Sequence, residues 1–355
     1  MPSTLAASRY GLETAGTYNM GTPTEKNWHY LDPLTPGLSA DRNIIERPAR
    51  WGIRGQRKPV AGPPEQGGTL GLEFGPENIT TLLYAAFGDL TTDVTHLADG
   101  YWTHQFTPGN TQRSIYYEEY LQENDAWFLY PGTTVDSVTF TGDIGAVVRA
   151  DFELHSANHG VTATGLETVP AVGHWSFLDP FTGIQGGINT TLGAWDKSDN
   201  WVVTIDFGTN HKRVWGAMDW YGAAVGTVRV TVSCNAHFTD TVDLEYFLGY
   251  AAGDPTTTAI MWAERLETLA DFIITAQTDE DADDTATDPP TAPYLMTIDM
   301  PEMAWVTHGP YIEEEDYIRQ PLTGTAWYDP HDLHSIRVDV RNKQTNAQVV
   351  AALAV

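Results

Sequence analysis

Apolar and polar residues alternate along much of this chain with the period of two that marks half-buried strands. The clearest instance runs from Tyr130 to Leu154, where Val138 and Phe140 lead into a turn at Gly142-Asp143-Ile144-Gly145. Val148, Phe152 and Leu154 follow on the far side, so the stretch predicts a hairpin. A shift of 90 positions lays the same pattern, without a gap, on Trp220 to Leu244. Gly132/Gly222, Val135/Val225, Val138/Val228, Thr141/Thr231, Ala146/Ala236 and Leu154/Leu244 are identical. An amphipathic strand pair cannot bury its apolar face alone, so each copy is expected to sit in its own sandwich-like layer. With six identities in 25 columns, a chance match of two ordinary hairpins stays open as the alternative.

Taken in order, residues 1–60 are rich in turns and poor in periodicity, and predict an extended arm. Leu70, Leu72 and Phe74 alternate as a strand. Gly75-Pro76-Glu77-Asn78-Ile79 then predicts a helix start with Pro and an acid in the first turn. Ile79, Leu82, Leu83, Ala86 and Phe87 form one apolar face, Gly88 supplies a stop, and the short helix is expected to pack on a sheet. Tyr101–Phe106 and Ser114–Tyr117 predict strands before the first hairpin, and Trp201–Ile205 before the second copy. Between them, 155–200 is Gly/Thr/Pro-rich and without period. The stretch 260–274 fits a helix, although 272–275 fits a strand equally well. Residues 279–284, continuing to Pro289-Pro290, predict a mobile acidic loop, and Tyr294 to Asn342 is strand-like around a second acidic run at 313–316. The expected fold is mainly β, with two tandem β-sandwich or half-barrel domains, each carrying a short flanking helix. Its expected divisions are an arm over 1–60, a first β-domain over 61–165, a connector over 166–200 and a second β-domain over 201–355.

Composition supports this and adds charge. The 355 residues allow two or three domains, and 12 Trp, 16 Tyr, 32 Gly and 21 Pro suit strands joined by turns. A single cysteine, Cys234, excludes an internal disulfide framework. The N-terminus lacks the pattern of a signal peptide and no apolar run approaches the roughly 18 residues that span a bilayer, so a soluble protein without a membrane span is expected. The 47 acids stand against 19 bases, a net charge of −28, with 28 Asp and five Lys. High salt suits such a surface, because at 1 M the Debye length is about 3 Å. A conduit for nucleic acid suits it too, since like charge prevents sticking. Gripping DNA through its phosphates is disfavoured. Against this background Arg42, Arg47, Arg50, Arg54, Arg57 and Lys58 place six of the 19 bases within 17 residues. The protein's own acidic surface is the best-matched partner for them, with a solvated loop or nucleic acid as alternatives.

Candidate chemistry is sparse. No G-x-S-x-G occurs, and Cys234 falls in the expected turn of the second copy as a structural thiol. Asp329-Pro330-His331-Asp332-Leu333-His334 gathers two His and two Asp, but at no known zinc or EF-hand spacing. The run 279–284 lacks the Gly and terminal Glu of an EF-hand loop. No carboxylate pair stands out for glycoside hydrolysis, and no Gly-rich loop for phosphate. Trp127, Phe128, Tyr130, Trp215, Trp220 and Tyr221 lie in strand patterns, as core rather than as a sugar platform. No catalytic, cofactor-binding or metal residue is therefore assigned, and no enzyme is expected. A Trp-rich acidic β-sandwich that binds or cleaves carbohydrate is the alternative reading.

The order of these pieces resembles the tail tube proteins of viruses of bacteria and archaea with long non-contractile tails. Tyr10-Gly11-Leu12-Glu13-Thr14 and Gly21-Thr22-Pro23 are similar to that family's start. Arg54-Gly55-Gln56-Arg57 to Gly62, Gly68–Phe74 and the helix at 76–87 resemble its middle, and Tyr130-Pro131-Gly132 with Val135–Val138 the strand that follows. The likeness covers residues 8–155 well and the rest loosely. It implies subunits that close into rings whose inner sheets line a channel, stacked by heterologous contacts into a tube through which viral DNA passes without specific binding. Six domains per ring imply a trimer of two-domain subunits, or a hexamer if the subunit is single-domain. The basic stretch 42–58 is then the candidate contact between rings, other tail proteins are the partners at the tube ends, and the place of action is the virion tail, assembled in the host cytoplasm. Low Lys with high Asp adds a high-salt host. A capsid decoration protein, forming closed trimers without tubes, shares the composition.

Overall fold

A computed structural model describes residues 5–14, 28–31, 33–35, 37–41, 43–46, 58–77, 79–96, 99–121, 126–162, 183–188, 191–194, 198–213, 222–237, 270–282, 292–307, 311–314 and 317–351. The first part of the chain gives β1 (Leu5–Leu12), β2 (His29–Leu31), β3 (Pro33–Thr35), β4 (Ser39–Asp41), β5 (Ile44–Ile45), β6 (Val60–Ala61) and β7 (Glu65–Glu73). Helix α1 (Thr80–Phe87) follows, then β8 (Gly88–Asp93), β9 (Trp102–Pro108), β10 (Ile115–Leu121), β11 (Ala126–Asp143), β12 (Arg149–His155) and β13 (Gly160–Thr162). Next come β14 (Gly183–Ile188), β15 (Thr191–Ala194), β16 (Ser198–Asp206), β17 (Asn210–Lys212), β18 (Gly222–Ala224) and β19 (Arg229–His237). The last are β20 (Ala270–Asp281), β21 (Pro293–Thr307), β22 (Tyr311–Glu314), β23 (Tyr317–Ala326), β24 (Arg337–Asn342) and the short helix α2 (Asn346–Val349).

The protein is mainly β, and its described strands pair antiparallel. Two long strands organise the pairing, β11 with 18 residues and β21 with 15. Each divides itself between two sets of neighbours. The first half of β11 lies between β10 and β13, with Trp127 opposite Tyr120 and Thr162. Its second half lies between β12 and β16, with Val138 opposite Phe152 and Ile205. The first half of β21 lies between β20 and β24, with Ile298 opposite Ile274 and Val338, and its end turns to β23. A continuous hydrogen-bonded series β7–β12–β11–β16–β19–β23–β21–β24–β9–β8 results.

The first expected hairpin is present as β11 and β12. The second copy departs from it. β19 runs unbroken through Val232-Ser233-Cys234-Asn235, which align with the turn of the first copy, and Cys234 pairs with Trp201 on one side and Leu322 on the other. The cause is local: the first copy turns at Asp143–Ala146 with Gly145 at φ 75°, whereas the second has no glycine there and its backbone stays extended. Cys234 is thus a buried strand residue, not a turn residue. Residues 238–244 of that copy lie outside the described residues.

Other expectations are refined in the same way. The segment expected as an extended arm contributes β1, held between β10 and β2 with Tyr10 and Leu12 buried. The aperiodic stretch 155–200 contains β13, β14 and β15; the sequence of β14, GIQGGI, has too few apolar side chains to show a period. Ala270–Asp281 resolves as strand, and the acidic residues Asp279, Glu280 and Asp281 belong to it rather than to a loop. The strand pairs β11–β16 and β9–β24 cross the expected boundary at 166–200, and one apolar cluster joins Phe74 and Phe140 to Ile205, Val232, Ile298 and Val338.

Helix α1 forms where expected and stops at Gly88, but it presents no face to solvent. Thr80, Thr81, Leu82, Leu83, Ala85, Ala86 and Phe87 are all buried, and only Tyr84 reaches the surface in part. A helix apolar all round belongs in a core. Pro76 and Glu77 sit in the turn before it, Ile79 is its N-terminal boundary residue, and its first turn holds no acid. Gly88 has φ 86°, and a Cβ there would lie 2.1 Å from the Thr111 carbonyl oxygen. At Gly145, with φ 75°, nothing lies within 4 Å of the added carbon. Gly145→Ala is therefore expected to cost only backbone strain of about 1–3 kcal/mol. Gly88→Ala adds a clash with main chain and is expected to cost clearly more, a ranking that urea denaturation of the two variants checks.

Candidate assembly surface and polar clusters

Strand alternation gives the sheet β7–β12–β11–β16–β19–β23 two unlike faces. Inward go Leu70, Leu72, Phe152, Val138, Phe140, Val203, Ile205, Val230, Val232 and Leu322, all buried. Outward, cross-strand neighbours fall into rows. One row runs Asp151–Thr139–Thr204–Thr231–Thr325, each opposite the next. The Thr139 and Thr204 hydroxyls lie 3.2 Å apart. A second row runs Glu153–Ser137–Asp206–Arg229, in which Ser137 Oγ donates to Glu153 Oε2 at 3.1 Å. A third runs Glu73–Arg149–Thr141–Val202–Ser233–Thr323. With Asp143 beyond, the described residues of these rows include five acids, Glu73, Asp143, Asp151, Glu153 and Asp206, against Arg149 and Arg229. It is a wide, hydroxyl-rich, weakly acidic surface.

Behind β1 and β10 the polarity is reversed. Arg9 Nε donates to Glu118 Oε2 at 2.6 Å with both side chains under a tenth exposed. The Arg9 guanidinium lies 4.3 Å from the Trp28 ring centre and 4.1 Å from that of Trp127, so two indoles sandwich it. Two further acids are buried nearby, each fixed by donors. Glu119 accepts from Gly37 N, Leu38 N and the Tyr117 hydroxyl; burial raises its pKa and those donors hold it down in part. Glu13 accepts from Gly132 N at 2.8 Å and from the Ser114 hydroxyl. These contacts bind β1 and the β3–β4 turn to β10 and β11.

On β24 and β21, Arg337 bridges Asp299 at 2.9 Å and Asp339 at 3.2 Å. Burial raises both carboxyls despite the arginine, Asp339 to about 6 with Asp299 adding to the rise. Elsewhere burial holds His29 down at about 4 and lowers His104, whose Nε2 meets Asn342 and the Gln344 carbonyl.

Of the six basic candidates, Lys58 is exposed, and Arg42, Arg47, Arg50, Arg54 and Arg57 lie outside the described residues. Strand β5 lies inside this stretch and β6 just after it; among the described residues the two pair only with each other, and Ile44, Ile45 and Val60 are about half exposed. The 329–334 motif forms a turn closed by an Asp329–His334 bridge, with Leu333 at φ 61°. His331 is 92% exposed and His334 Nδ1 meets the Asp332 carbonyl, so the motif does not converge on one point. Trp127 and Tyr130 are buried, as expected of core, and Phe128 is half-buried. What sequence spacing missed is Asp136, His155 and His211, whose ligand atoms all lie within 4.8 Å of one another. They stand 19 and 56 positions apart on three strands, and no motif joins them.

The described residues thus define a mainly β protein whose polar groups tie strands together and clothe broad faces. The phage tail tube protein family matches residues 4–326, and the chain belongs to that family. It is accordingly a structural component of the virion tail that assembles with its own kind and with other tail proteins. No curated protein matches it significantly.

Two outcomes test the electrostatics. Glu118→Gln leaves Arg9 charged and buried, and is expected to cost about 3–5 kcal/mol in denaturant unfolding, whereas Arg9→Met with Glu118→Leu recovers most of that loss. For Asp339, a folded pKa of about 6 above an unfolded value near 4 means that the charged form penalises the fold above pH 6. That penalty fades as pH falls from 6 towards 4. Asp339→Asn is expected to stabilise the protein by about 1–3 kcal/mol at pH 8, with the gain vanishing near pH 4.

Proposed function

We propose that the chain is the major tail tube subunit of a virus with a long non-contractile tail, closing into rings that stack as a hollow tube for DNA. The observation that carries this reading is the continuous sheet with one buried and one hydroxyl-rich, acidic face, in a chain of the tail tube family. Such a face suits the lumen. Thr and Ser side chains carry no charge, Arg149 and Arg229 are outnumbered by acids, and those acids repel the backbone of passing DNA weakly over a short screened range.

The ring is a trimer of two related units, giving six around the axis. Supporting this are the two long strands, β11 and β21, each of which divides between two sets of partners. The units are the first β-domain at 61–165 and the second at 201–355, with their sheets joined through β11 and β16. The stretch 42–58 makes the contact between rings: the hairpin formed by β5 within it and β6 just after it pairs, among the described residues, apart from the large sheet, with Ile44, Ile45 and Val60 exposed. Its bases meet an acidic neighbour in the next ring, a heterologous contact that repeats without closing. A net charge of −28 with five Lys fits assembly in the cytoplasm of a host that lives in high salt.

Negative-stain microscopy of the purified protein over a range of salt concentrations is expected to show rings or tubes with threefold subunit symmetry. A monomer at every salt concentration contradicts the proposal, and six chains per ring contradict its two-unit form. Reversing Arg47, Arg50 and Arg54 to Glu is expected to stop tube growth while leaving rings intact.

A further inference from the structure

Asp136, His155 and His211 meet at one rim of the lumen-type sheet, and the way each arrives there is built into the fold. The pairing of β11 with β12 slips between Val135 and Ser137, so Asp136 is the extra residue of a β-bulge. Bulges re-aim side chains, and the Asp136 carbonyl is itself taken by the Phe207 N–H at 3.0 Å. His155 ends β12, opposite Thr134 and Gly67. His211 is the middle residue of β17, opposite Ala223 of β18.

We infer that these three side chains bind a divalent transition-metal ion of the zinc class, clamping the β17–β18 hairpin to the main sheet. His211 Nε2 lies 3.0 and 3.1 Å from the two Asp136 carboxylate oxygens. Ligand atoms bound at 2.0–2.1 Å in a tetrahedron are separated by about 3.3 Å, so this pair already spans close to one edge. The His155 and His211 rings have centres 4.1 Å apart at 30°, which brings the third ligand to the same point. Two imidazoles and one carboxylate suit zinc-class ions, whereas Ca²⁺ and Mg²⁺ take oxygen ligands. His211 is 9% and Asp136 26% exposed, so a bound ion is shielded yet reachable. Arg213 opposes a cation, but its NH2 group is engaged by the Pro64 carbonyl at 2.8 Å and Glu65 acts on the site with the opposite sign.

The clamp has a mechanical purpose. Among the described residues, β17 and β18 form a two-stranded sheet of their own with no strand pairing to the large sheet. An isolated two-stranded hairpin is at best marginally stable. An ion shared between His211 and two residues of the main sheet anchors it.

The test is titration of the full-length protein with Co²⁺, whose visible absorption intensifies when water ligands give way to a tetrahedral site. One saturating equivalent per chain, displaced by Zn²⁺ and accompanied by a rise in Tm, is expected. His155→Gln and His211→Gln should each weaken binding by more than about tenfold, since even supporting partners of metal ligands contribute that much; His331→Gln should leave it unchanged. A wild-type protein with no saturable band overturns the site without reference to any variant. Binding by both His variants as tight as that of the wild type overturns it too, and assigns the ion to the acidic surface.

Discussion

Helix α1 has no side on which to face water, and the fold is built around that constraint. Seven of its eight residues are buried, all but Tyr84, and the enclosing parts come from distant parts of the described chain. Phe87 packs on Phe106 of β9 and Phe207 after β16, with ring centres 6.4 and 5.3 Å apart. Thr81 Oγ1 meets His29 Nε2 and donates to the Val349 carbonyl, joining β2 and α2 to the helix. The Thr80 hydroxyl donates to Gln344, and Asn342 Nδ2 donates to the Pro76 carbonyl at 2.7 Å. Residues near both ends of the described chain therefore close the same core. The chain is expected to lose these contacts together rather than piecemeal, because no part of the enclosure is complete without the others.

Once the core is closed, the period of two does the rest. On the second half of β11 and on β12, β16, β19 and the described part of β23, residues turned away from the core are committed to the opposite face, and those positions are mostly Thr, Ser, Asp and Glu. The same arrangement explains how so acidic a chain tolerates acids inside. Glu13, Glu118 and Glu119 are buried, but each meets fixed donors from another segment. Arg9, one of few bases, serves the interior, where low polarity and two indole faces strengthen its pairing. The excess charge is left for the surface, where solvent and salt screen it.

Membership of the tail tube family gives these features a common use. On the proposed reading, a broad face dominated by hydroxyls and acids, an apolar-footed hairpin at a basic stretch, and a rim where three strands converge are the surfaces that meet in assembly. The bulge at Asp136 links two of them, because one extra residue in β11 both bends the polar sheet and aims a carboxylate at its rim.

Much of the local structure was legible in the sequence. Alternation placed β7, β9, β10, β16 and the β11–β12 hairpin, and Gly88 marked the end of α1, because period and backbone preference depend only on near neighbours. The second copy misled for the converse reason: matching side chains at 220–236 did not carry over the glycine that makes the turn. β14 was hidden because its glycines leave no pattern to read. The enclosure of α1 on all sides, the Arg9–Glu118 pair 109 positions apart and the meeting of Asp136, His155 and His211 were decided only by tertiary structure. Each depends on which strands pair and in what register, and a one-residue slip there moves a side chain to the opposite face. The sequence alone thus determined those strands whose alternation is regular and that the chain is strongly acidic; only the closed sheets decided which distant residues meet.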